Sequence, residues 1–196
     1  ALQYLVEELV ESGIEEILII TGRNKVSIEN HFDYSFELEK TLEENGKLEL
    51  LKEVNKISEM SNIYYVRQKK PLGLGHAISC AEAFVGDEPF VVLLGDDIIY
   101  TDKSKGEVPV TKQLIEKYSE LDGGNILGVQ EVLQKNVSKY GIIKPKNQID
   151  AKTVMVEDFI EKPSIEEAPS RMAALGRYVL EPEIFSYLKN TKPGKG

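Results

Sequence analysis

Two carboxylates, Asp96 and Asp97, follow directly on the run Phe90-Val91-Val92-Leu93-Leu94-Gly95. Five successive apolar residues between Pro89 and Gly95 predict a strand buried on both faces, as in the middle of a parallel sheet. In open α/β sheets ligands bind beyond the carboxyl ends of strands. That is where these acids stand, suited to a hard cation and a phosphorylated ligand. The same Gly-Asp-Asp stretch also suits an ordinary turn, so the strand end alone leaves both readings open. A second polar pair, Glu161-Lys162, closes the strand-like stretch Thr153 to Pro163. It reads by itself as a surface ion pair, worth little to stability. Phosphoryl or nucleotidyl transfer asks little covalent chemistry of a protein. It needs a cation, a positive side chain on the reacting phosphate and accurate placement, which a Mg²⁺-binding Asp and a phosphate-binding Lys would supply.

The loop Lys69-Lys70-Pro71-Leu72-Gly73-Leu74-Gly75-His76 carries two glycines that let backbone approach a ligand closely. It lacks the third glycine of the dinucleotide fingerprint and the ending of a P-loop. His76 could contact phosphate, or cap and pack at a helix start. Cys80 reads as core filler.

The elements that must position these residues are legible from periodicity. Leu2, Leu5, Val6, Leu9 and Val10 recur at helical spacing, with Gly13 placed to close the helix. Glu16 to Thr21 is a β-branched strand, followed by a short helix from Asn24 to Phe32. Phe36 to Glu59 reads as one charged, solvated insertion helix. Asn62 to Gln68, a helix over 77–83 and the Phe90 strand together predict a βαβ crossover. Val110 to Leu121 reads as a helix ended by Gly123-Gly124, and Asn125 to Val132 as a strand. Tyr140 to Pro145, Thr153 to Pro163 and Met172 to Leu180 read as extra strands walling a second pocket, before a closing helix over 182–189. The predicted class is α/β: a Rossmann-like, mixed and mostly parallel central sheet flanked by helices, with extra strands walling a second pocket. One domain is expected, with a nucleotide-binding half over 1–132 and a second half over 133–196 that holds the extra strands.

Composition restricts the function classes. The 196 residues carry a net charge of −9 spread along the chain, which supplies no basic stripe for nucleic acid. One cysteine excludes an internal disulfide, and there is no CxxC or Cys/His cluster for zinc. No apolar run reaches membrane-spanning length, and the expected compartment is the cytoplasm. The start in mid-helix at Ala1 and the end in Lys192-Pro193-Gly194-Lys195-Gly196 suggest a piece of a longer protein.

In order along the chain, Gln68 with Lys-Lys-Pro-Leu-Gly-Leu-Gly-His-Ala, Leu-Leu-Gly-Asp-Asp, Tyr-Gly-Ile, Phe-Ile-Glu-Lys-Pro and Ala-Leu-Gly-Arg-Tyr-Val-Leu resemble the bacterial UTP–glucose-1-phosphate uridylyltransferases. The stretch His31 to Glu39 resembles the helical insertion of that branch and separates it from related thymidylyl- and adenylyltransferases. The resemblance implies that Gln68 and Gly73 recognise uracil, Gln68 by its amide and Gly73 by main-chain groups, with Gly75 also on the nucleotide. Asp96 becomes a catalytic Mg²⁺ ligand on the triphosphate. Asp97, Gly141, Glu161 and Gly176 line the sugar, Glu161 accepting from sugar hydroxyls. Lys162 binds the phosphate of glucose 1-phosphate and steers it onto the α-phosphorus of UTP. Arg177 is open between a site role and a structural one. The implied products are UDP-glucose and pyrophosphate, the cofactor Mg²⁺, the partners UTP and glucose 1-phosphate, and the assembly a homo-oligomer.

Members of that family begin with a strand and a Gly-x-Gly-Thr-Arg loop, followed by a lysine segment that grips the triphosphate, and place a second metal-binding Asp further on. This chain is expected to be an internal portion lacking both ends, with weak or no turnover by itself. A metal-dependent glycosyltransferase and a non-catalytic sugar-nucleotide-binding domain are the alternatives.

Overall fold

The computed structural model describes residues 1–191, so the terminal Lys192 to Gly196 lie outside the described residues. Helix α1 (Leu2–Glu11) turns its apolar stripe inward, burying Leu5 and Val6. It ends where Gly13 takes φ +90°, with the Gly13 N–H on Val10 O at 3.0 Å and the Ile14 N–H on Leu9 O at 3.1 Å. Strand β1 (Glu16–Thr21) follows, then α2 (Val26–Phe32). Val6, Ile17 and Phe32 form one buried cluster, sheathed by Leu2, Leu9, Ile14, Ile57 and Ile63.

The predicted single insertion helix is two, α3 (Phe36–Glu44) and α4 (Leu48–Ser58). Gly46, at φ +66°, donates to Glu43 O at 3.0 Å, and the Lys47 N–H closes back on Leu42 O at 2.9 Å. Asn45-Gly46 is thus a helix stop, because a left-handed residue there satisfies carbonyls that the helix leaves unpaired. Strand β2 (Asn62–Arg67) runs parallel to β1, Ile17 opposite Ile63 and Ile20 opposite Val66.

The helical stretch after the glycine loop is also divided, into α5 (Leu74–Ser79) and α6 (Glu82–Val85). Strand β3 (Phe90–Leu93), helix α7 (Val110–Glu120), β4 (Ile126–Glu131), β5 (Gly141–Asp150), β6 (Thr153–Glu161), β7 (Met172–Leu180) and α8 (Ile184–Asn190) complete the chain. Strands β3, β7, β5 and β6 lie in that order in a five-stranded sheet, with β4 also on β7.

The mixed α/β class is as expected, but the parallel pairing among the described residues is the β1–β2 ladder, and every ladder of the larger sheet is antiparallel. Two expectations are corrected by this. The β2–α5–α6–β3 segment does not close a βαβ unit within one described sheet, because β2 pairs with β1 and β3 with β7. Strand β3 is half-buried, not enclosed on both faces in a parallel sheet; Phe90 stands opposite Leu180 and Leu93 opposite Arg177. Its other side faces an apolar cavity of about 460 Å³, across which lie Ile17 to Ile20 of β1. Both walls of that space are aliphatic. The apolar run of β3 therefore lines this cavity on one side and pairs with β7 on the other. Because β7 pairs with both β3 and β4, the two expected halves share one sheet.

Candidate functional site

The turn after β3 is held by β7. The Leu94 N–H donates to Gly176 O at 2.9 Å, and the Gly176 N–H donates to Asp97 Oδ2 at 2.7 Å. Gly176 permits this approach: a Cβ there would lie 2.8 Å from Leu94 Cβ and 3.2 Å from Asp97 Cβ. Asp97 is half-buried and its carboxylate is committed to that amide, whereas Asp96 is exposed and makes no hydrogen bond or ion pair among the described residues. The two adjacent acids therefore differ in role. Asp97 ties two strands together, and Asp96 is free to bind.

Residues of β7 alternate in direction, so Gly176 and Tyr178 share one face and Arg177 takes the other. Arg177 is fully buried. Its Nε and Nη2 donate to the Glu8 carboxylate at 2.9–3.2 Å, Nη1 to Gly176 O at 3.0 Å, and Nη2 to Asp97 O at 2.8 Å. Glu8 Oε1 also accepts from Thr111 N at 3.2 Å and from Thr111 Oγ1 at 2.6 Å. The question left by the sequence is settled in favour of structure: Arg177 locks α1, α7 and the acidic turn to β7.

Tyr178 is a residue the sequence reading passed over. Burial pushes its phenol above the ordinary tyrosine range, and the negative charges of Glu161 and Asp97 push in the same direction. Tyr178 lies within the Gly-Arg-Tyr motif, and the period-two alternation from Gly176 could have found it.

At that strand end Glu161 stands opposite Gly141 in the β5–β6 ladder. Lys162 takes φ +46°, a left-handed conformation that costs a non-glycine residue about 1 kcal/mol or more, and its N–H is anchored on Tyr140 O at 3.0 Å. Its Nζ is 3.6 Å from Glu161 Oε1, and both side chains are 63% exposed, which leaves the ammonium available to an anion. Gly141 is buried beneath the Phe159 ring, where a Cβ would come within 2.1 Å of the ring. Its missing side chain is occupied by the protein's own aromatic group.

On the other arm, Gln68 follows β2 with its N–H on Thr21 O at 2.9 Å. Its Nε2 is 3.1 Å from Gly73 O and 2.9 Å from His76 Nδ1. Gly73 has φ +96° with open space where a Cβ would lie. At Gly75 a Cβ would meet Leu188 Cδ2 of α8 at 3.0 Å. The cavity between β1 and β3 has Gly95 at its rim, but its Leu, Ile and Val lining offers no partner for phosphate.

For a divalent cation the donor chemistry is an unpaired, exposed carboxylate at Asp96. Among the described residues no group of three His, Cys, Asp or Glu side chains gathers to hold a metal. The carboxylate of Asp96 is a donor of the kind Mg²⁺ takes, since that ion commonly binds through one or two carboxylates and completes its octahedron with water and substrate phosphates. Asp96 is the residue that would hold it.

A family model described as nucleotidyl transferase matches residues 1–196. The chain belongs to the nucleotidyl transferase family. It is 56% identical over its whole length to the UTP–glucose-1-phosphate uridylyltransferase YngB of Bacillus subtilis, covering 64% of that protein. It is 51% identical to a second UTP–glucose-1-phosphate uridylyltransferase of Bacillus subtilis, again covering 64%. The chain thus spans just under two thirds of these curated relatives. Among solved structures it resembles an apo UDP-glucose pyrophosphorylase at TM-score 0.90 and 42% identity, covering 99% of this chain and 69% of that one. It also resembles a UDP-glucose pyrophosphorylase complexed with UDP-glucose, at TM-score 0.85 and 41% identity, covering 98% of this chain and 68% of that one.

Proposed function

We propose that the protein carrying this chain joins UTP and glucose 1-phosphate to form UDP-glucose and pyrophosphate. The observation that carries the reading is the bond from Gly176 N–H to Asp97 Oδ2, which ties the acidic strand end to β7 while Asp96 remains free. Names of relatives at 51–56% identity support the choice of substrates.

In this reading an oxygen of the glucose 1-phosphate phosphoryl group attacks the α-phosphorus of UTP. A new P–O bond forms as the bond from that phosphorus to the β-phosphate bridge breaks, and pyrophosphate leaves with the electron pair. Gln68 and Gly73 take the uracil. Asp97 and Gly176 shape the sugar wall, and the Glu161 carboxylate accepts from sugar hydroxyls. Gly141 backs that wall from under Phe159. Lys162, fixed by its backbone bond to Tyr140, puts a positive charge on the attacking phosphate and lowers the repulsion between two polyanions. Asp96 would hold Mg²⁺, which when bound would supply charge neutralisation on the triphosphate. In a chain of net charge −9 this local positive charge must work against the overall field.

The same reading places the protein in the cytoplasm, supported by its single cysteine, and among the described residues no helix is long and apolar enough to cross a membrane. A homo-oligomer is supported by exposed apolar side chains on α3 and α4, including Phe36, Leu38, Leu48 and Leu50. The reading is tested by measuring pyrophosphate release with UTP, glucose 1-phosphate and Mg²⁺, omitting each in turn. Release only with all three supports it. Release that does not depend on glucose 1-phosphate refutes it.

A further inference from the structure

The Gln68 amide is held in one orientation between two acceptors, Gly73 O and His76 Nδ1. Gly73 O is a carbonyl and can only accept, so the Gln68 atom 3.1 Å from it is the amide nitrogen. That nitrogen has two hydrogens. The second lies toward His76 Nδ1 at 2.9 Å. For both hydrogens to be used, Nδ1 must carry no proton, and the ring proton sits on Nε2. The second lone pair of Gly73 O is occupied as well, because the Ala77 N–H donates to it at 3.1 Å.

Two groups of this arrangement are left without a hydrogen bond among the described residues: Gln68 Oε1, an acceptor, and the Gly73 N–H, a donor. Uracil presents acceptor, donor and acceptor along O2, N3–H and O4. An acceptor for N3–H beside a donor for a carbonyl oxygen matches that edge. Cytosine carries a bare N3 and an amino group at the corresponding positions. It would set acceptor against acceptor and donor against donor, and buried mismatches of that kind cost more than a missing bond.

We infer that His76 is a specificity-determining residue of the nucleotide site: by accepting from Gln68 Nε2 at Nδ1 it joins Gly73 O in fixing the amide with its oxygen toward the base, selecting nucleotides that carry an N3–H. His76 is a positioning residue, acting through Gln68 and not on the substrate. This inference rests on the proposed uridylyl transfer, and it makes a finer claim. Removing the Nδ1 acceptor leaves Gly73 O as the only partner of the amide nitrogen among the described residues, so the amide turns more readily and a pyrimidine with a bare N3 is excluded less strictly.

The test compares kcat/KM for UTP and CTP in the wild-type protein and in two variants. His76→Phe keeps a ring but has no acceptor. His76→Asn places Oδ1 close to where Nδ1 stood. The expected result is that H76F lowers the UTP-to-CTP ratio by about tenfold or more, while H76N keeps the wild-type ratio within about threefold. A purely structural role for His76 would lower both substrates together, and an unchanged ratio in H76F overturns the inference. A second measurement needs no variant and no turnover: ¹⁵N NMR of the wild-type imidazole, one of only two histidines in the chain. A bare Nδ1 with the proton on Nε2 is expected, and the opposite tautomer overturns the inference. If the wild-type protein does not turn over UTP, the uridylyl reading fails, and the tautomer still judges the hydrogen-bond assignment separately.

Discussion

Replacing Arg177 by Met should be the most damaging single change outside the substrate contacts. The guanidinium is 0% exposed and its Glu8 partner only 9%, so removing the cation strands a carboxylate in a dry site. Glu8 would retain only its two bonds from Thr111, at 3.2 and 2.6 Å. Breaking a buried pair in this way costs about 3–5 kcal/mol, against a total stability of about 5–15 kcal/mol for an ordinary domain. For a protein of this size that lowers Tm by roughly 10 °C. The turn after β3 also loses the anchor on Asp97 O, so the loss of turnover should exceed the loss of folded fraction. Replacing both partners removes the stranded charge; beyond the Asp97 O donor that both variants lose, it leaves the Thr111 hydroxyl and N–H without their acceptor, at about 1–2 kcal/mol. R177M and the double variant E8L/R177M are therefore compared by thermal unfolding followed in the far-UV. The reasoning is refuted if R177M costs less than about 1 kcal/mol, or if the double variant is less stable than the single.

Three further changes separate binding from architecture. Asp96→Asn should abolish Mg²⁺-dependent turnover yet leave unfolding within about 0.5 kcal/mol of wild type, because Asp96 is exposed and unpartnered among the described residues; a large stability loss would make it structural instead. Gly176→Ala drives a methyl to 2.8 Å from Leu94 Cβ, so about 1–3 kcal/mol of stability should be lost together with activity, read by urea midpoint and initial rate. Tyr178 has a phenol raised above 10.0 in the folded state, so the folded protein holds that proton after the unfolded chain has released it. Its contribution to stability is full below pH 10 and is lost as pH rises through the folded value. Wild type should therefore lose stability faster than Tyr178→Phe above pH 10, and tyrosinate absorbance should show one late-titrating group that the variant lacks.

How much of this was legible in the sequence follows from the range of each interaction. Helix α1 and strands β1, β4 and β7 were read from local pattern, since periodicity and turn residues act over a few positions, whereas the binding roles expected of Asp96, Glu161 and Lys162 came only with the family resemblance. The break at Asn45-Gly46 was legible in principle but was overridden by the apolar stripe running through it. The surroundings of β3 were not, because an apolar run reports contact with apolar groups and not which strand, if any, pairs beside it. The Glu8–Arg177 pair spans 169 positions, and no local rule joins a helix glutamate to a strand arginine at that distance. The different duties of Asp96 and Asp97, identical in type and adjacent, appear only when Gly176 N–H reaches one of them.

The most direct test of uridylyl transfer follows the α-phosphorus itself. UTP labelled there with ³²P is incubated with glucose 1-phosphate, Mg²⁺ and the protein carrying this chain. The account predicts label in UDP-glucose, with one pyrophosphate released for each labelled product. Label remaining in UTP while UDP-glucose is consumed by an added sugar acceptor would contradict it and favour glycosyl transfer.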